Sequence, residues 1–341
     1  MKAMILAGGM STRLYPLTRT VPKPLVPVVG EPISAHILRW LKSFGYDEIA
    51  INVHYLAETI EDRFGDGSQF GVKLQYLYEP KLMGSAGALK ALEHYFTEPF
   101  VVVGCDCLTD ANLESLVAFH RKQNALATIG LVEADEVDQY GVVIMQGDGR
   151  ITEFQEKPPR GTERSKLVNT GIYAFSPEIF RHIPAGEFYD FGKQVFPSLQ
   201  AADAAFYGYR LSGAYWADIG TPDEYVRATA DALAGRVHLR GTRMRGLASD
   251  AILGDDVVVE GDVRVGSRAN LGARVRIIGP SVIGDGVTIG NDAVLERAIV
   301  WDNTTIGARA SLSDTVVGID FRVADDASLK DTIIANEPVA P

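Results

Sequence analysis

The sequence predicts a two-part chain, in which a mainly parallel α/β sheet is followed by a parallel β-helix. Strand-like and helix-like runs alternate up to about residue 232, and aliphatic residues then recur every six positions after residue 250. The length of 341 residues leaves room for two hydrophobic cores, at roughly 100–200 residues per domain. We expect a first domain over 1–232, a linker over 233–250, a β-helix over 251–335 and a tail over 336–341.

Short apolar runs alternate with amphipathic runs through the first domain. The runs typical of buried strands are Lys2–Leu6, Glu48–Val53, Lys73–Tyr78 and Phe100–Val103. The runs with helical spacing of apolar residues are Ile33–Ser43, Leu56–Phe64 and Ser85–Phe96. This alternation is typical of a mainly parallel sheet, which binds ligands at the carboxyl ends of its strands.

The second domain carries the six-residue repeat. Its unbroken series is Leu253, Val259, Val265, Leu271, Ile277, Ile283, Ile289 and Leu295, and after a slip in register it resumes with Val300, Ile306 and Leu312. A period of six fits short strands that are joined by tight turns and stacked so that the aliphatic side chains fill the centre. The pattern is similar to the left-handed hexapeptide-repeat helix. We expect its coils to assemble the chain into a homo-oligomer or to carry an allosteric surface.

Composition excludes several classes of function. A net charge of −11 argues against general binding of nucleic acid, which requires a basic surface. No run reaches the roughly 18 apolar residues of a membrane helix, and the N-terminus lacks a secretory signal. Cys105 and Cys107 are too few for a disulfide framework or a four-cysteine zinc site, so we expect a reducing cytoplasm.

A glycine turn followed by cations comes after the first strand. It runs Leu6-Ala7-Gly8-Gly9-Met10-Ser11-Thr12-Arg13-Leu14 and continues, after Pro16-Leu17-Thr18, to Pro22-Lys23-Pro24-Leu25. Glycines let backbone N–H groups approach a polyphosphate, and Arg13 can fork onto phosphate oxygens. Pro24 biases Lys23 towards an extended backbone, which would aim its cation. The glycine pair alone fits a plain turn beside solvated cations equally well.

Taken together, these strings resemble the signature of the sugar-1-phosphate nucleotidyltransferases, also called NDP-sugar pyrophosphorylases. That family carries roughly G-G-x-G-T-R-L-x-P-L-T and then P-K-P-L, and Ser11 replaces a loop glycine here. Because serine disfavours a positive φ, we expect some loss of loop freedom. The resemblance implies that this loop binds the nucleotide through Leu6, Ala7, Gly8, Gly9, Ser11, Thr12, Arg13 and Lys23. It also implies that Arg13 and Lys23 stabilise the transition state.

Two aspartates imply a magnesium site. Asp106 follows the strand-like run Pro99–Val103, where an acid is well placed for a hard cation. The resemblance makes Asp106 a catalytic metal ligand, with Cys105 in place of the family's glycine. It makes Asp218, in the W-x-D-I-G-T-P string over 216–222, the second ligand of Mg²⁺. Either aspartate alone would more simply be a helix cap or turn acid, and we expect the two cysteines to pack as small apolar groups.

Three strings resemble the sugar side of the same family. They are Tyr140-Gly141-Val142-Val143, Gln155-Glu156-Lys157-Pro158 and Asn169-Thr170-Gly171-Ile172-Tyr173. The resemblance implies that Gly141 and Glu156 meet the sugar, and that Lys157, Asn169 and Gly171 lie at its phosphate. Asp190-Phe191-Gly192-Lys193 is similar to a glucose-1-phosphate element of the ADP-glucose branch. Lys193 would then add a phosphate contact, although a solvated lysine at a helix start fits equally.

The segment Tyr78–Gly87 aligns with the family's base-recognition loop and contributes Glu79, Gly84 and Ser85. Guanine offers two adjacent donors that a carboxylate can accept together, and Glu79 stands where the thymidine branch has glutamine. Glu79 therefore favours GTP, and the run L-M-G-S-A-G-A-L also resembles the mannose-1-phosphate guanylyltransferases. Lys193 favours glucose-1-phosphate instead. An exposed surface glutamate is the simpler alternative for Glu79.

The expected reaction joins an NTP to a hexose-1-phosphate and releases pyrophosphate, with GTP and mannose-1-phosphate as the first choice of substrates. UTP, or another NTP, with glucose-1-phosphate is the alternative. A regulatory homologue that binds sugar nucleotides without turnover is a third interpretation, because Ser11 and Cys105 depart from the family pattern. An acyltransferase is disfavoured because no histidine lies within the repeats. The six histidines are His36, His54, His94, His120, His182 and His238.

Overall fold

A computed structural model describes residues 1–337, so most of the predicted tail over 336–341 lies outside the described residues. Packing divides the chain into two compact units. The first unit consists of Met1–Gly9 and Ile37–Asp218, and the second consists of Met10–His36 and the chain from Ile219 onward. The predicted boundaries at residues 232 and 250 stay a prediction. The segment with Arg13 and Lys23 thus packs with the C-terminal part of the chain.

The strands and helices before residue 250 alternate as expected for an α/β chain. In chain order the strands are β1 (Lys2–Leu6), β2 (Pro27–Val28), β3 (Glu31–Pro32), β4 (Glu48–Val53), β5 (Lys73–Tyr78), β6 (Phe100–Gly104), β7 (Cys107–Thr109), β8 (Ala127–Glu133), β9 (Gly141–Met145), β10 (Ile151–Glu156), β11 (Leu167–Phe175), β12 (Phe206–Arg210), β13 (Trp216–Asp218) and β14 (Gly246–Leu247). The helices are α1 (Ile33–Ser43), α2 (Ala57–Phe64), α3 (Gly84–Lys90), α4 (Leu113–Lys122), α5 (Phe196–Ala201) and α6 (Pro222–Leu233).

The first unit is built on a nine-stranded mixed sheet. Its main order is β10-β9-β11-β6-β1-β4-β5, and β8 and β12 extend from β11. Strands β6, β1, β4 and β5 are mutually parallel, which confirms the mainly parallel sheet predicted from the sequence. The central residues of β1, β4 and β6 are buried, in keeping with their continuous apolar runs, whereas β5 at the end of this order is partly exposed. A two-stranded antiparallel ribbon, β7 with β13, lies apart from the sheet.

One predicted helix is shorter than its apolar stripe. The spacing predicted a helix over Ser85–Phe96, but α3 ends at Lys90. Beyond Lys90 the backbone hydrogen bonds join residues three apart instead of four, as in Leu92 N–H to Leu89 O and Tyr95 N–H to Leu92 O. Leu92 and Phe96 remain buried, because tight turns bring them to the same side as the helix would.

In the second unit, three parallel ladders follow helix α6. Further strands are β15 (Ile252–Leu253), β16 (Val258–Glu260), β17 (Val263–Val265), β18 (Asn270–Leu271), β19 (Arg276–Ile278), β20 (Ser281–Ile283), β21 (Thr288–Ile289), β22 (Val294–Glu296), β23 (Ile299–Val300), β24 (Thr305–Ile306), β25 (Ser311–Val317), β26 (Arg322–Val323) and β27 (Ser328–Ile334). Each strand pairs with the strand one coil later, which confirms a parallel β-helix. Strand β14 pairs with β17, so pairing of this kind begins inside the predicted linker.

The slip in the repeat has a structural cause. Early coils advance by 18 residues, since Val265 pairs with Ile283, whereas later coils advance by 17, since Ile283 pairs with Val300. One corner is therefore one residue shorter. Leu253 is an exception to the predicted core, because it lies on the edge strand β15 and is 48% exposed. The other aliphatic residues of the series are buried, apart from the half-buried Val259.

No helix within residues 1–337 is both long and apolar enough to span a membrane.

Candidate active site

Polar side chains gather where β1, β4 and β5 end, at one edge of the parallel sheet. Gly8 follows β1, Asn52 lies near the end of β4, and Glu79 follows β5 directly. A Cβ on Gly8 would lie 2.7 Å from Glu79 Oε2 and 2.8 Å from Asn52 Nδ2. Glycine is therefore required at this position to admit the two side chains, whereas Gly9 faces open space. The adjacent backbone is held as well, because Ala7 N–H donates to Asn52 Oδ1 at 3.0 Å.

The Glu79 carboxylate is buried and already accepts two hydrogen bonds. Asn52 Nδ2 donates to Oε2 at 2.6 Å, and the Met83 N–H donates to Oε1 at 3.0 Å. Glu79 is 6% exposed, so it is not the surface glutamate considered as an alternative. Asn52 was missed by the sequence reasoning. The available signal was an amide in an otherwise apolar strand, at the end where parallel sheets bind ligands.

Ser11 adopts the backbone conformation that its side chain disfavours. Its φ of 51° and ψ of 43° are left-handed, so the loop keeps the glycine-like geometry despite the substitution. The Ser11 carbonyl accepts hydrogen bonds from Thr18 Oγ1 at 2.8 Å and Leu14 N–H at 3.1 Å. These bonds offset the cost of a left-handed residue, which is about 1–2 kcal/mol. The next two residues of the loop, Thr12 and Arg13, lie on an exposed 3₁₀ turn.

Lys23 begins a turn, and the expectation of an extended backbone at this residue was wrong. The extended residue is Pro22, with a ψ of 147°, and Lys23–Leu25 forms a 3₁₀ turn closed by the Leu25 N–H to Pro22 O bond of 2.8 Å. This hydrogen bond outweighs the bias that Pro24 exerts on the preceding residue. The Lys23 side chain is buried.

Asp106 and Asp218 both belong to the region of the short ribbon formed by β7 and β13. The turn Cys105-Asp106 joins β6 to β7, and Asp218 is the last residue of β13. The register pairs Asp218 directly with Cys107, the neighbour of Asp106. Residues opposite each other in such a pair have Cα atoms about 4.5–5.5 Å apart, so the Asp218 backbone lies at the end of the ribbon where Asp106 precedes β7. The cysteines between them are buried and unbonded to each other.

The Trp216 ring fixes this ribbon. Its Nε1–H lies 3.0 Å from both Cys107 Sγ and the Thr170 carbonyl, and the ring meets Tyr140 edge to face at 5.4 Å between centroids. Cys107 Sγ also contacts the Thr170 carbonyl at 3.0 Å. Cys107 is therefore a buried packing group with a weak hydrogen bond, in keeping with the expectation for this residue.

The donor set at Asp106 and Asp218 fits Mg²⁺. Magnesium is commonly held by one or two carboxylates while water and substrate phosphates complete its shell. Among residues 1–337 no cluster of three or more His, Cys, Asp or Glu side chains forms a cage for a metal.

The Glu156 carboxylate lies between two glycines on the sugar side. Glu156 pairs with Gly141 across β9 and β10, and a Cβ on Gly192 would lie 2.3 Å from Glu156 Oε2. Burial, and next the negative charge of Asp190, raise the pKa of Glu156, while Lys157 and Lys193 oppose that rise. Glu156 therefore lies close to Lys157 and Lys193. Gly192 leaves room for the Glu156 carboxylate, a role that the sequence motif did not indicate.

Lys157 and Gly171, which the sequence predicted to lie at the sugar phosphate, both have a positive φ. Lys157 has a φ of 46°, a strained conformation for a residue that precedes proline. Gly171 has a φ of 76° at a bulge in β11, where the ladder with β8 loses its register between Asn169 and Tyr173. Asn169 spans that bulge, because its Oδ1 accepts from Gly171 N–H at 2.9 Å and its Nδ2 donates to Tyr173 Oη at 3.0 Å.

The first turn of α3, with Met83 before it, is joined to the Asp190 segment by several hydrogen bonds. Ser85 Oγ donates to Asp190 Oδ2 at 3.0 Å and accepts from Phe191 N–H at 2.9 Å. The Tyr189 carbonyl accepts from Ala86 and Gly87 N–H, and Tyr189 N–H donates to Met83 O at 2.8 Å. Asp190 in turn caps the Gly192 and Lys193 N–H groups. The Ser85 hydroxyl is therefore occupied within the protein.

Gly84 permits these hydrogen bonds. It has a φ of 74°, and a Cβ there would lie 2.5 Å from the Tyr189 carbonyl oxygen. Any other residue would separate the two segments. The predicted base and sugar segments are consequently one connected surface of the first unit.

Comparison with known proteins agrees with these features. The family described as "Nucleotidyl transferase" matches residues 2–235. A UTP–glucose-1-phosphate uridylyltransferase of Synechocystis sp. is 38% identical over 320 residues, which are 88% of this chain and 82% of that protein. A mannose-1-phosphate guanylyltransferase of Mycobacterium tuberculosis is 34% identical over 304 residues, covering 86% and 83% of the two chains.

A solved structure from Bacillus anthracis, named as a glucose-1-phosphate thymidylyltransferase, shares the fold with a TM-score of 0.63. It is 26% identical and covers 72% of this chain and 98% of its own. The resemblance that the motifs predicted is confirmed by these matches. The chain belongs to the nucleotidyl transferase family.

Proposed function

We propose that this protein transfers a nucleotidyl group from an NTP to a hexose-1-phosphate and releases pyrophosphate. The observation that carries the proposal is the register of β7 with β13, which pairs Asp218 with Cys107, the residue that follows Asp106. The two aspartates would hold Mg²⁺, which would supply positive charge at the phosphates. Family membership and the relatives named above support the same reaction class.

The sugar phosphate supplies the nucleophile, so no serine or cysteine is needed. One of its oxygens forms a bond to the α-phosphorus, and the bond from that phosphorus to the bridging β-phosphate oxygen breaks. Arg13 and Lys23 would contact the triphosphate and balance the charge that develops on the departing pyrophosphate. Glu156 would accept hydrogen bonds from sugar hydroxyls, while Lys157 and Lys193 would bind the sugar phosphate. Catalysis is then positioning and electrostatics, in which one contact typically contributes 10²–10³ in rate.

For the substrate pair we propose UTP with glucose-1-phosphate. Both Glu79 oxygens already accept hydrogen bonds, from Asn52 and from the Met83 backbone, which reduces their capacity to bind the paired donors of guanine. Lys193 lies in the element that resembles a glucose-1-phosphate site, and the Synechocystis relative is named for this pair.

GTP with mannose-1-phosphate, the first expectation from the sequence, is the second candidate. Each carboxylate oxygen of Glu79 has a second lone pair, so an incoming guanine can still be accepted. The Mycobacterium tuberculosis relative is named for this reaction.

The experiment is a matrix of UTP, GTP, ATP and dTTP against glucose- and mannose-1-phosphate with Mg²⁺, scored by release of pyrophosphate. We expect the highest kcat/KM for UTP with glucose-1-phosphate. A clear preference for GTP with mannose-1-phosphate would restore the sequence-based choice. If no substrate pair releases pyrophosphate, the proposed reaction is contradicted and the interpretation as a regulatory homologue is favoured.

We also propose that the protein forms homo-oligomers and works in the cytoplasm. Both cysteines are reduced and buried, as a reducing compartment permits. Light scattering coupled to size exclusion would test the assembly, and a monomer at micromolar concentration would contradict it.

A further inference from the structure

The turn that carries Lys23 is the first part of a short, tightly closed hairpin. Val26 N–H donates to Lys23 O at 3.0 Å, and Ile33 N–H donates to Val26 O at 2.9 Å. Between these bonds β2 pairs with β3, and the two-residue loop has positive φ at Val29 and Gly30. Whatever holds the hairpin therefore also holds the backbone of Lys23.

A buried relay of hydrogen bonds connects the β-helix to this hairpin. Trp301 Nε1–H donates to Tyr225 Oη at 2.9 Å, and the Tyr225 hydroxyl donates to the Pro27 carbonyl at 2.7 Å. Trp301 is 3% exposed and Tyr225 is fully buried. Burial raises the pKa of Tyr225, so its hydroxyl stays protonated and remains a donor. In a low-dielectric interior such bonds are stronger than at a surface.

A second contact fixes the tip of the hairpin. The Arg264 guanidinium, from β17, lies against Gly30, where a Cβ would come within 2.0 Å of a terminal guanidinium nitrogen. Arg264 is 8% exposed, and burial lowers its pKa. A small cavity of about 10 Å³ lies between the hairpin and the coil with Trp301. The hairpin is thus packed on the β-helix with almost no room to shift.

We propose that the β-helix acts as a positioning platform for Lys23, and that Trp301 and Tyr225 are its positioning residues. Neither residue is placed at the substrate; they act by fixing the backbone of Pro27, which lies four residues after Lys23. The inference rests on the proposed function, since it requires Lys23 to act on the triphosphate. It assigns to the β-helix a catalytic role beyond assembly of subunits.

The test uses two substitutions in the full-length protein. Tyr225→Phe removes the hydroxyl that binds Pro27, and Trp301→Phe removes the N–H that orients that hydroxyl together with part of the buried indole ring. We expect kcat to fall about tenfold in Tyr225→Phe and less in Trp301→Phe, because small misplacements of a catalytic group are costly. The KM of the sugar phosphate should change less than twofold.

Thr315→Val is the matched control. Its hydroxyl is a buried hydrogen-bond donor in the β-helix, to Ser313 O at 2.9 Å and Leu329 O at 3.4 Å, and neither acceptor belongs to the hairpin. We expect the control to lower the melting temperature about as much as Tyr225→Phe while leaving kcat unchanged. An equal loss of kcat in the control would show a general stability effect and overturn the proposal.

A double-mutant cycle with Lys23→Gln separates this inference from the proposed function. If Tyr225 acts through Lys23, then Tyr225→Phe changes kcat less than twofold in the Lys23→Gln background. If the losses multiply, the proposed route through Lys23 is wrong. If Lys23→Gln alone leaves kcat unchanged, the proposed role of Lys23 in the reaction is wrong. If Lys23→Gln is inactive while Tyr225→Phe is fully active, Lys23 keeps its role and only the proposal that the β-helix positions it is overturned.

Amide hydrogen exchange gives a readout that does not depend on activity. In Tyr225→Phe, the peptide covering residues 22–33 should exchange at least threefold faster than in Thr315→Val. Unchanged exchange in that peptide would contradict the claim that the relay holds the hairpin.

Discussion

Asn52 donates a 2.6 Å hydrogen bond to the buried Glu79 carboxylate, and the same amide side chain accepts from Ala7 N–H. The pair therefore connects the ends of three neighbouring parallel strands, β1, β4 and β5. Gly8 must lack a side chain to leave room for it. The glycine turn and the base segment are held in one geometry by a residue that no motif contains.

Asn52→Ala tests this pair. The change leaves Glu79 with one donor fewer, and we expect a loss of about 1–3 kcal/mol in the free energy of unfolding. We expect the KM of the NTP to rise more than fivefold, since the turn beside Gly8 loses its support. Gln75→Ala, on the exposed side of β5, is the control. An unchanged KM in Asn52→Ala would contradict the role of the pair.

Ser85→Ala tests whether the Ser85 hydroxyl holds neighbouring protein segments together or binds the nucleotide. Since it bonds Asp190 and Phe191, its loss should loosen the segment that presents Lys193. We expect the KM of the sugar phosphate to rise about three- to tenfold, with the KM of the NTP changing less. Ser198→Ala, which loses a hydroxyl bond to Val195 O in nearby α5, should leave both values unchanged. A larger effect on the NTP would assign Ser85 to nucleotide binding.

Gly192→Ala tests whether the space beside Gly192 is needed to hold the Glu156 carboxylate in place. The added methyl would lie 2.3 Å from Glu156 Oε2, so the carboxylate must move. We expect at least a tenfold loss in kcat/KM for the sugar phosphate in a folded protein. Gly147→Ala is the control, because a Cβ there meets nothing within 4 Å. Normal kinetics in Gly192→Ala would remove Glu156 from sugar recognition.

His120 predicts a window of acid sensitivity. Burial lowers the pKa of His120 to about 4, and its ring nitrogens lie 2.9 Å from Thr128 Oγ1 and 3.1 Å from Ser176 Oγ. Above pH 6.5 the imidazole is neutral in both states, so this stability is fully present. As the pH falls from 6.5 to 4, only the unfolded chain binds the proton, and about 3 kcal/mol is lost.

Urea unfolding of the wild type and of His120→Gln at pH 7.5, 5.5 and 4.5 measures this contribution. The difference between the two proteins isolates the histidine from the carboxylates that titrate in the same range. We expect the free energy of unfolding of the wild type, relative to that of His120→Gln, to decrease progressively below pH 6.5. If the two proteins differ by the same free energy of unfolding at all three pH values, the prediction is contradicted.

The sequence was most informative where local patterns decide structure. The limits of β1, β4, β5 and α1 follow from continuous apolar runs and amphipathic spacing, and the six-residue period predicted the β-helix. The motifs also located Asp106 and Asp218, but their adjacency depends on the pairing of β7 with β13, a contact between distant segments.

Other features depend on tertiary contacts that no local pattern reports. The Lys23 turn forms because a backbone bond outweighs the bias from Pro24, and Ser11 is left-handed because its carbonyl is bound twice. Asn52, Gly192 and Trp301 acquire their roles only from side chains that are remote in sequence. Predicting such roles requires the fold first.

The most direct test of the account is turnover of Asp106→Asn and Asp218→Asn, measured as pyrophosphate release from the preferred substrate pair. Asp62→Asn, an exposed aspartate on α2, is the matched control. We predict that each of the first two variants keeps its circular dichroism spectrum and loses at least 10²-fold in kcat, while the control stays within twofold. Near-normal kcat in either Asp106→Asn or Asp218→Asn would contradict the paired-aspartate mechanism.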